Sequence, residues 1–253
     1  DGSVSAESLK DALRPDTVLV SLMLVNNETG AVTDIAAMSR VLKAAKSQAL
    51  LHCDAVQGFM KLPFTAKSLG ADMITVSGHK IHAPKGIGAL YIKSGVKIKP
   101  YIIGGAQEGK MRAGTEALPQ IAAFGTACEL AKKAMPEASA RMAELRSRTT
   151  ERLCSEMPET VIIGGGAPHI LSLSLPGWRS EVLMNYLESK EVYVSRSSAC
   201  KKGGRSHVLE AMGLAPEVID GAIRVSFSRY TTAEDTDTFC RALKEAHDSL
   251  SHR

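Results

Sequence analysis

The sequence predicts an α/β protein, with a mainly parallel sheet in the first part of the chain and a smaller α+β unit in the last part. Three observations predict this class. Short apolar, β-branched runs alternate with helical patterns over the first part of the chain. Aromatic residues make up only 4% of the 253 residues, so Val, Ile, Leu, Ala and Met must build the core, as in layered α/β proteins. Beyond a long helical stretch, a second set of strands and helices follows.

The first part of the chain alternates between predicted strands and predicted helices. We predict helices over residues 5–13, 34–47 and 66–69, and strands over residues 17–24, 50–53, 73–76 and 89–92. Residues 17–24 should form a buried strand because they are nearly all apolar. Ligands of parallel sheets lie beyond the carboxyl ends of the strands, so the residues that follow these strands are the first candidates for a site.

A helical pattern over residues 119–157 marks the boundary between two predicted domains. Proline removes a helical hydrogen bond, so we expect Pro136 to interrupt this helix, and we place the boundary there. Residues 1–135 then form a large domain and residues 136–253 a small C-terminal domain. In the small domain we predict strands over residues 170–175, 192–194 and 223–227, and helices over residues 181–188, 206–212 and 233–249.

Charge, hydropathy and cysteine usage argue against several classes of function. A net charge of +4 without a basic stripe argues against nucleic acid as a partner. Because no apolar run reaches the length of a membrane span, we predict a cytoplasmic protein with no membrane partner. The five cysteines are odd in number and form no C-x-x-C pair, so we expect neither a disulfide framework nor a metal site.

The stretch Ser77-Gly78-His79-Lys80 is the most informative part of the sequence. It follows the predicted strand 73–76 and so presents one lysine at the edge of the sheet. Such an amine can form a Schiff base with an aldehyde cofactor. A lone lysine in this place is more often a surface residue. Ser77 and His79 can both donate hydrogen bonds to a phosphate, however, and this favours a phosphorylated cofactor.

Polar residues also follow two earlier strands. Asp54 comes directly after residues 50–53, where its carboxylate can keep the pyridine nitrogen of such a cofactor protonated or can cap a helix. Gln57, one helical turn further on, can donate to the cofactor's phenolic oxygen. Asn27 follows residues 17–24 and can contact the ring oxygen or a substrate carboxylate, or can form a turn.

Arg224 and Cys200 add a substrate anchor and a nucleophile to this set. Arg224 begins an apolar strand, where a guanidinium needs an anionic partner, either a substrate carboxylate or a structural acid. Cys200 lies in a loop of small residues and glycines beside Lys201, Lys202 and Arg205. These cations favour the thiolate, so we expect a reactive thiol rather than an uninvolved cysteine. Together the residues predict a pyridoxal-phosphate enzyme that uses a thiol.

The combination of motifs resembles the cysteine desulfurases, which are aminotransferase-like (class V, fold-type I) pyridoxal-phosphate enzymes. As a set the motifs are highly specific, and they occur in the family's order along the chain. They are Val25-Asn26-Asn27-Glu28-Thr29-Gly30, Asp54-Ala55-Val56-Gln57, Ser77-Gly78-His79-Lys80, Met111-Arg112-Ala113-Gly114-Thr115-Glu116, Ser198-Ala199-Cys200, Ser206-His207-Val208-Leu209 and Ile223-Arg224-Val225-Ser226. The resemblance implies part of a PLP-transferase large domain, followed by a small domain that carries the cysteine loop.

The resemblance also implies how the cofactor is held. Lys80 would carry pyridoxal 5'-phosphate and later move protons. Asp54 would pair with the pyridinium and Gln57 with the phenolic oxygen, while Ser77 and His79 would bind the phosphate.

For the substrate, the resemblance implies that Arg224 holds the carboxylate of L-cysteine with the help of Asn27. Cys200 would attack the substrate sulfur, which would give alanine and a persulfide for an acceptor such as an iron–sulfur scaffold protein. Thr115 would reach the phosphate of the neighbouring subunit, so the active form would be a homodimer.

Two other interpretations stay open beside a cysteine desulfurase. One is a selenocysteine lyase or another β-eliminating pyridoxal-phosphate enzyme. The other is an inactive fragment that acts only in dimerisation or partner binding. The family's upstream glycine/threonine phosphate loop and its ring-stacking histidine have no counterpart in the sequence. We therefore expect the chain to lack the family's N-terminal portion.

Overall fold

The computed structural model describes residues 2–196 and 204–250, and these form two compact units. The first unit comprises Val4–Leu24 and Thr33–Met135. The second comprises the residues up to Ser3, the loop Val25–Val32 and the chain from Pro136 onward. The functional domains predicted for residues 1–135 and 136–253 stay a prediction.

The first unit is built on a four-stranded sheet, as expected for an α/β protein. Its strands are β1 (Leu19–Met23), β2 (Leu50–Asp54), β3 (Met73–Ser77) and β4 (Gly88–Ile92), in that order across the sheet, and its first helices are α1 (Ala6–Ala12), α2 (Ile35–Ala44) and α3 (Ala66–Leu69). The first three strands are parallel, and β4 runs antiparallel to β3. The prediction of a mainly parallel sheet is therefore confirmed.

Strand β1 is less buried than predicted. Val20 is buried, but Leu19 is 48% exposed and the preceding Val18 is 78% exposed. Among the described residues β1 lies at the edge of the sheet and pairs only with β2, so it has a neighbouring strand on one side. An apolar run alone does not distinguish such an edge strand from a central one.

The predicted interruption at Pro136 is wrong. Helix α4 (Leu118–Glu156) continues through this proline over 39 residues. The helix is anchored on both sides of it, because Ala131 is buried before the proline and Met142 and Leu145 are buried after it. We infer that this packing outweighs the one helical hydrogen bond that the proline removes. In spite of its length, neither α4 nor any other described helix is apolar enough to cross a membrane.

The second unit contains an antiparallel sheet, as expected for the α+β part. Its strands are β5 (Val161–Ile163), β6 (Ile170–Ser174), β7 (Ser195–Arg196) and β8 (Ala222–Ser226), in the order β5-β6-β8-β7, and its further helices are α5 (Ser180–Ser189), α6 (His207–Ala211), α7 (Pro216–Asp220) and α8 (Ala233–Ser249). β6 is buried along its whole length. Its Leu171 and Leu173 belong to one apolar core with Leu183 of α5 and Leu243 of α8.

Three short elements of this unit differ from the sequence prediction. The strand predicted at residues 192–194 is wrong, since β7 forms instead from the next two residues, which pair with Arg224 and Ile223 of β8. Strand β5 and helix α7 were not predicted. They have only three and five residues, which is too short for a periodic pattern.

Gly30 fixes the course of the loop Val25–Val32. It has φ +70°, and a Cβ atom there would lie 3.0 Å from the Cβ of Ile170. Gly213 has the same φ, but nothing lies within 4 Å of its missing Cβ. We expect Gly30→Ala to lower the free energy of unfolding by roughly 2–3 kcal/mol, and Gly213→Ala by about 1 kcal/mol. Urea unfolding of the two variants measures the difference, and equal losses would contradict this account of the loop.

Candidate active site

A single turn after β3 presents Lys80. The chain leaves β3 at Ser77 and forms a 3₁₀ turn over Gly78–Ile81. Ile81 is only 1% exposed and packs into an apolar cluster with Ala127 and Ala131 of α4, so it holds the turn in place. Lys80, its neighbour, is half-buried. Packing of the adjacent isoleucine thus fixes the position of the lysine at the end of the strand.

Ser77 and His79 lie on either side of Gly78 and contact each other. The Ser77 Oγ and the His79 Nδ1 share a hydrogen bond of 2.7 Å. A side chain at Gly78 would collide with Ile87, because a Cβ atom would lie 2.8 Å from the Ile87 Cγ2. The glycine therefore allows a tight turn in which a hydroxyl and an imidazole, both able to bind a phosphate, lie together.

Asp54 is the last residue of β2, the strand next to β3. In the parallel register Asp54 pairs with Thr75 of β3, and Ser77 follows Thr75 on the same face of the sheet because side chains alternate. The Asp54 Oδ1 accepts a hydrogen bond of 2.9 Å from the main-chain N–H of Val56. Residues 56–61 form turns and not an α-helix, so the carboxylate does not serve as the cap of a helix. Gln57 lies in the same turn and is half-buried.

His52 is a residue of this face that the sequence reasoning missed. Its Nδ1 shares a hydrogen bond of 2.8 Å with the Ser21 Oγ of β1, and its Nε2 shares one of 2.6 Å with the Thr75 Oγ1 of β3. The ring thus links three adjacent strands two residues before Asp54. The spacing of two residues between His52 and Asp54 was the available signal, since such residues share one face of a strand.

The residues of the first unit fit pyridoxal 5'-phosphate by their chemistry. The cofactor has an aldehyde, a basic ring nitrogen and a phosphate. Lys80 supplies an amine, Asp54 a carboxylate, and Ser77 and His79 supply hydrogen-bonding groups. All four lie at or directly after the carboxyl ends of two adjacent parallel strands, which is where such sheets bind ligands.

Asn27 and Arg224 lie in the second unit and contact each other there. The Arg224 Nη1 donates a hydrogen bond of 2.8 Å to the main-chain oxygen of Asn27. The Arg224 Nε is buried and has no hydrogen-bond partner among the described residues. Burial lowers the pKa of Arg224, and the charge of Glu28 opposes this shift. No carboxylate of the described chain forms an ion pair with this guanidinium, which leaves it suited to a carboxylate ligand.

The described structure does not test the predicted roles of two further site residues. Thr115 lies in the exposed loop before α4. Cys200 lies outside the described residues. Arg205, one of the cations predicted to favour its thiolate, forms a two-point ion pair with Asp220, with both N–O distances at 2.7 Å. The Asp220 carboxylate offsets the positive charge of Arg205, so the expectation of a lowered pKa for the Cys200 thiol now depends on Lys201 and Lys202.

The four cysteines in the described ranges allow a test of which thiols react. Burial raises the pKa of Cys53 to about 12 and that of Cys240 to about 11. Cys154 is exposed. At pH 8 we expect iodoacetamide to alkylate Cys154 and Cys200 in the native protein within minutes, and to leave Cys53 and Cys240 protonated and unmodified. Peptide mass mapping reads out all positions, and alkylation of Cys53 before Cys154 would contradict the prediction.

Comparison with known proteins supports these observations. The profile of the aminotransferase class-V family matches residues 1–239. A cysteine desulfurase IscS of Methanosarcina thermophila is 39% identical over 254 residues, which cover 98% of this chain and 62% of the relative. A cysteine desulfurase of Trichormus variabilis is 42% identical and is matched over 93% of this chain and 60% of its own length. The chain thus spans about three fifths of the length of the curated relatives it matches.

Solved structures of similar proteins have the same fold. A NifS-like protein superposes with a TM-score of 0.90 at 37% identity, over 98% of this chain and 66% of that chain. A NifS-like protein from Rickettsia africae gives a TM-score of 0.88 at 32% identity, over 98% of this chain and 67% of that chain. The predicted fold class and resemblance are confirmed. Class-V aminotransferases, cysteine desulfurases among them, depend on pyridoxal phosphate. This chain belongs to the class-V aminotransferase family.

Proposed function

We propose that this protein is a pyridoxal-phosphate-dependent cysteine desulfurase, which converts L-cysteine to L-alanine and holds the sulfur as a persulfide on Cys200. One observation carries the proposal: the turn with Ser77, His79 and Lys80 follows the strand next to the one that ends at Asp54. The relatives reported above are named cysteine desulfurases, which favours this reaction over the other pyridoxal-phosphate chemistries considered.

The residues of the first unit would hold the cofactor and move protons. Bound pyridoxal phosphate supplies an electron sink, which weakens the bonds around the α-carbon of an amino acid. Asp54 holds a proton on the ring nitrogen and so maintains that electron sink. Ser77 and His79 bind the phosphate, and Gln57 donates to the phenolic oxygen. The Lys80 amine would attach the cofactor and would move protons at the substrate's carbon atoms.

The residues of the second unit and Cys200 would act on the substrate. Arg224 binds the carboxylate of L-cysteine through its guanidinium, assisted by Asn27. The Cys200 thiolate attacks the substrate sulfur, so one S–S bond forms and the C–S bond breaks. The substrate carbon gains a proton and leaves as alanine. Cysteine and one enzyme thiol thus yield alanine and one enzyme persulfide, with no external oxidant or reductant.

Three finer features belong to the same proposal. The active form is a homodimer, in which Thr115 reaches the cofactor phosphate of the neighbouring subunit. Exposed apolar side chains in the segment from β4 to the start of α4, which includes Thr115, support this, since Tyr101 is 97%, Ile103 81% and Leu118 69% exposed. The persulfide sulfur passes to an acceptor such as an iron–sulfur scaffold protein, and the protein acts in the cytoplasm.

A direct assay separates this proposal from the alternatives. The protein, loaded with pyridoxal phosphate, is given L-cysteine or L-selenocysteine with and without a thiol reductant, and alanine and sulfide or selenide are measured. The proposal predicts one alanine per active site without reductant and continued turnover with it. Turnover of selenocysteine alone identifies a selenocysteine lyase. No turnover of either substrate overturns the proposal and leaves another β-eliminating pyridoxal-phosphate enzyme or a protein that acts only through binding.

A further inference from the structure

The loop Val25–Val32 contains a buried acid that the proposed reaction does not use. Glu28 is only 6% exposed. Carboxylates are seldom buried unless they are hydrogen-bonded or paired with a charge. The Glu28 Oε2 accepts a short hydrogen bond from the Ser206 Oγ, and Ser206 is itself only 3% exposed. Both residues belong to the second unit.

Hydrogen bonds to main-chain N–H groups hold both residues of this pair, Glu28 and Ser206, in place. The Asn26 Oδ1 accepts hydrogen bonds from the N–H groups of Glu28 and Thr29, at 2.9 and 3.0 Å. Ser206 is the N-cap of α6, and its Oγ accepts a hydrogen bond of 3.2 Å from the Leu209 N–H. The Ser206 hydroxyl therefore uses its acceptor for the helix and its single proton for Glu28.

Glu28 directly follows Asn27, whose main-chain oxygen accepts a hydrogen bond from Arg224, so its charge acts on the guanidinium, yet the two side chains form no ion pair in the described chain. Arg224 instead donates to the main-chain oxygen of Asn27 and keeps a buried Nε without a partner in the described chain. Without the hydrogen bond from Ser206, the buried Glu28 carboxylate would need another donor. Arg224 is a cation on which the charge of Glu28 acts.

We propose that the Ser206 hydroxyl holds the Glu28 carboxylate away from Arg224 and so keeps the guanidinium open for a carboxylate ligand. Ser206 is then a positioning residue, and the inference rests on the proposed role of Arg224 in binding the substrate carboxylate. The hydrogen bond joins residues 178 positions apart in the chain.

Binding measurements on the pyridoxal-phosphate-loaded protein test this inference. The probes are L-alanine, which has the carboxylate, and ethylamine, which lacks it, and calorimetry gives their dissociation constants. We expect Ser206→Ala to raise the dissociation constant of L-alanine about tenfold and to leave that of ethylamine unchanged. Ser206→Thr keeps the hydroxyl and should bind both probes as the wild type does.

A second substitution makes the test specific to Glu28. Glu28→Gln keeps an acceptor oxygen but cannot capture a cation, so the double variant Ser206→Ala, Glu28→Gln should bind L-alanine as tightly as the wild type. Thr232→Ala is the matched control. It removes another N-cap hydrogen bond of the same unit, that from the Asp235 N–H, and should change neither constant.

The possible results separate this inference from the proposed function. Equal weakening of both probes in Ser206→Ala, no weakening at all, or no recovery in the double variant would each overturn the inference. A wild-type protein that binds L-alanine in the expected pattern but releases no alanine from L-cysteine would overturn the proposed desulfurase and leave the role of Ser206 standing.

Discussion

Lys80→Ala is expected to reduce alanine formation from L-cysteine at least about a thousandfold. The variant loses both the amine that attaches the cofactor and the base that moves protons, and positioned acid–base groups alone contribute roughly 10²–10⁴-fold. The apolar anchor Ile81 is unchanged, so the turn over Gly78–Ile81 should keep its conformation. The measurement is steady-state alanine production at saturating pyridoxal phosphate.

The matched control for Lys80 lies in the same connection between β3 and β4. Lys85 is an exposed lysine there, and Lys85→Ala should retain wild-type activity. A similar loss of alanine formation in both variants would mean that positive charge in this segment, and not one particular amine, supports the reaction. Lys80→Ala with more than a tenth of the wild-type rate would contradict the role assigned to Lys80.

Cys200→Ser is expected to abolish persulfide formation and to lower alanine formation about a thousandfold, while cofactor binding stays intact. A serine hydroxyl is not ionised at neutral pH and is a much weaker nucleophile toward sulfur than a thiolate. The visible spectrum of the bound cofactor should therefore equal that of the wild type, unlike that of Lys80→Ala. Mass spectrometry after one turnover measures the added sulfur.

Cys154→Ser provides the comparison for Cys200. Cys154 is an exposed thiol of α4, so its loss removes a reactive cysteine without touching the proposed chemistry. Wild-type alanine and persulfide yields are expected in this variant. A persulfide on Cys154 in the wild-type protein, or full activity of Cys200→Ser, would contradict the proposed path of the sulfur.

Local sequence signals predicted the strand ends that carry the candidate site. Asp54 and Lys80 each follow an apolar run, and the structure has both runs as neighbouring parallel strands. Helices with clear caps were also predictable, as shown by α8, which begins at the capping box of Thr232 and Asp235 and has the predicted bounds. In each of these cases the signal lies within a few residues of the feature that it predicts.

Interactions between distant parts of the chain were not predictable. The hydrogen bond between Glu28 and Ser206 and the position of Arg224 against the Asn27 carbonyl join residues that only the fold brings together. The continuation of α4 through Pro136 likewise depends on burial of side chains before and after the proline. No local pattern in the amino-acid sequence predicts such packing.

Covalent labelling of Lys80 tests the central claim most directly. The protein is incubated with pyridoxal phosphate, reduced with borohydride and digested, and the phosphopyridoxyl group is located by mass spectrometry. We expect one label per chain, on Lys80, and a strong reduction of labelling when L-cysteine is added first. Labels spread over exposed lysines such as Lys85, with none enriched at Lys80, would contradict the assignment of this turn as the cofactor site.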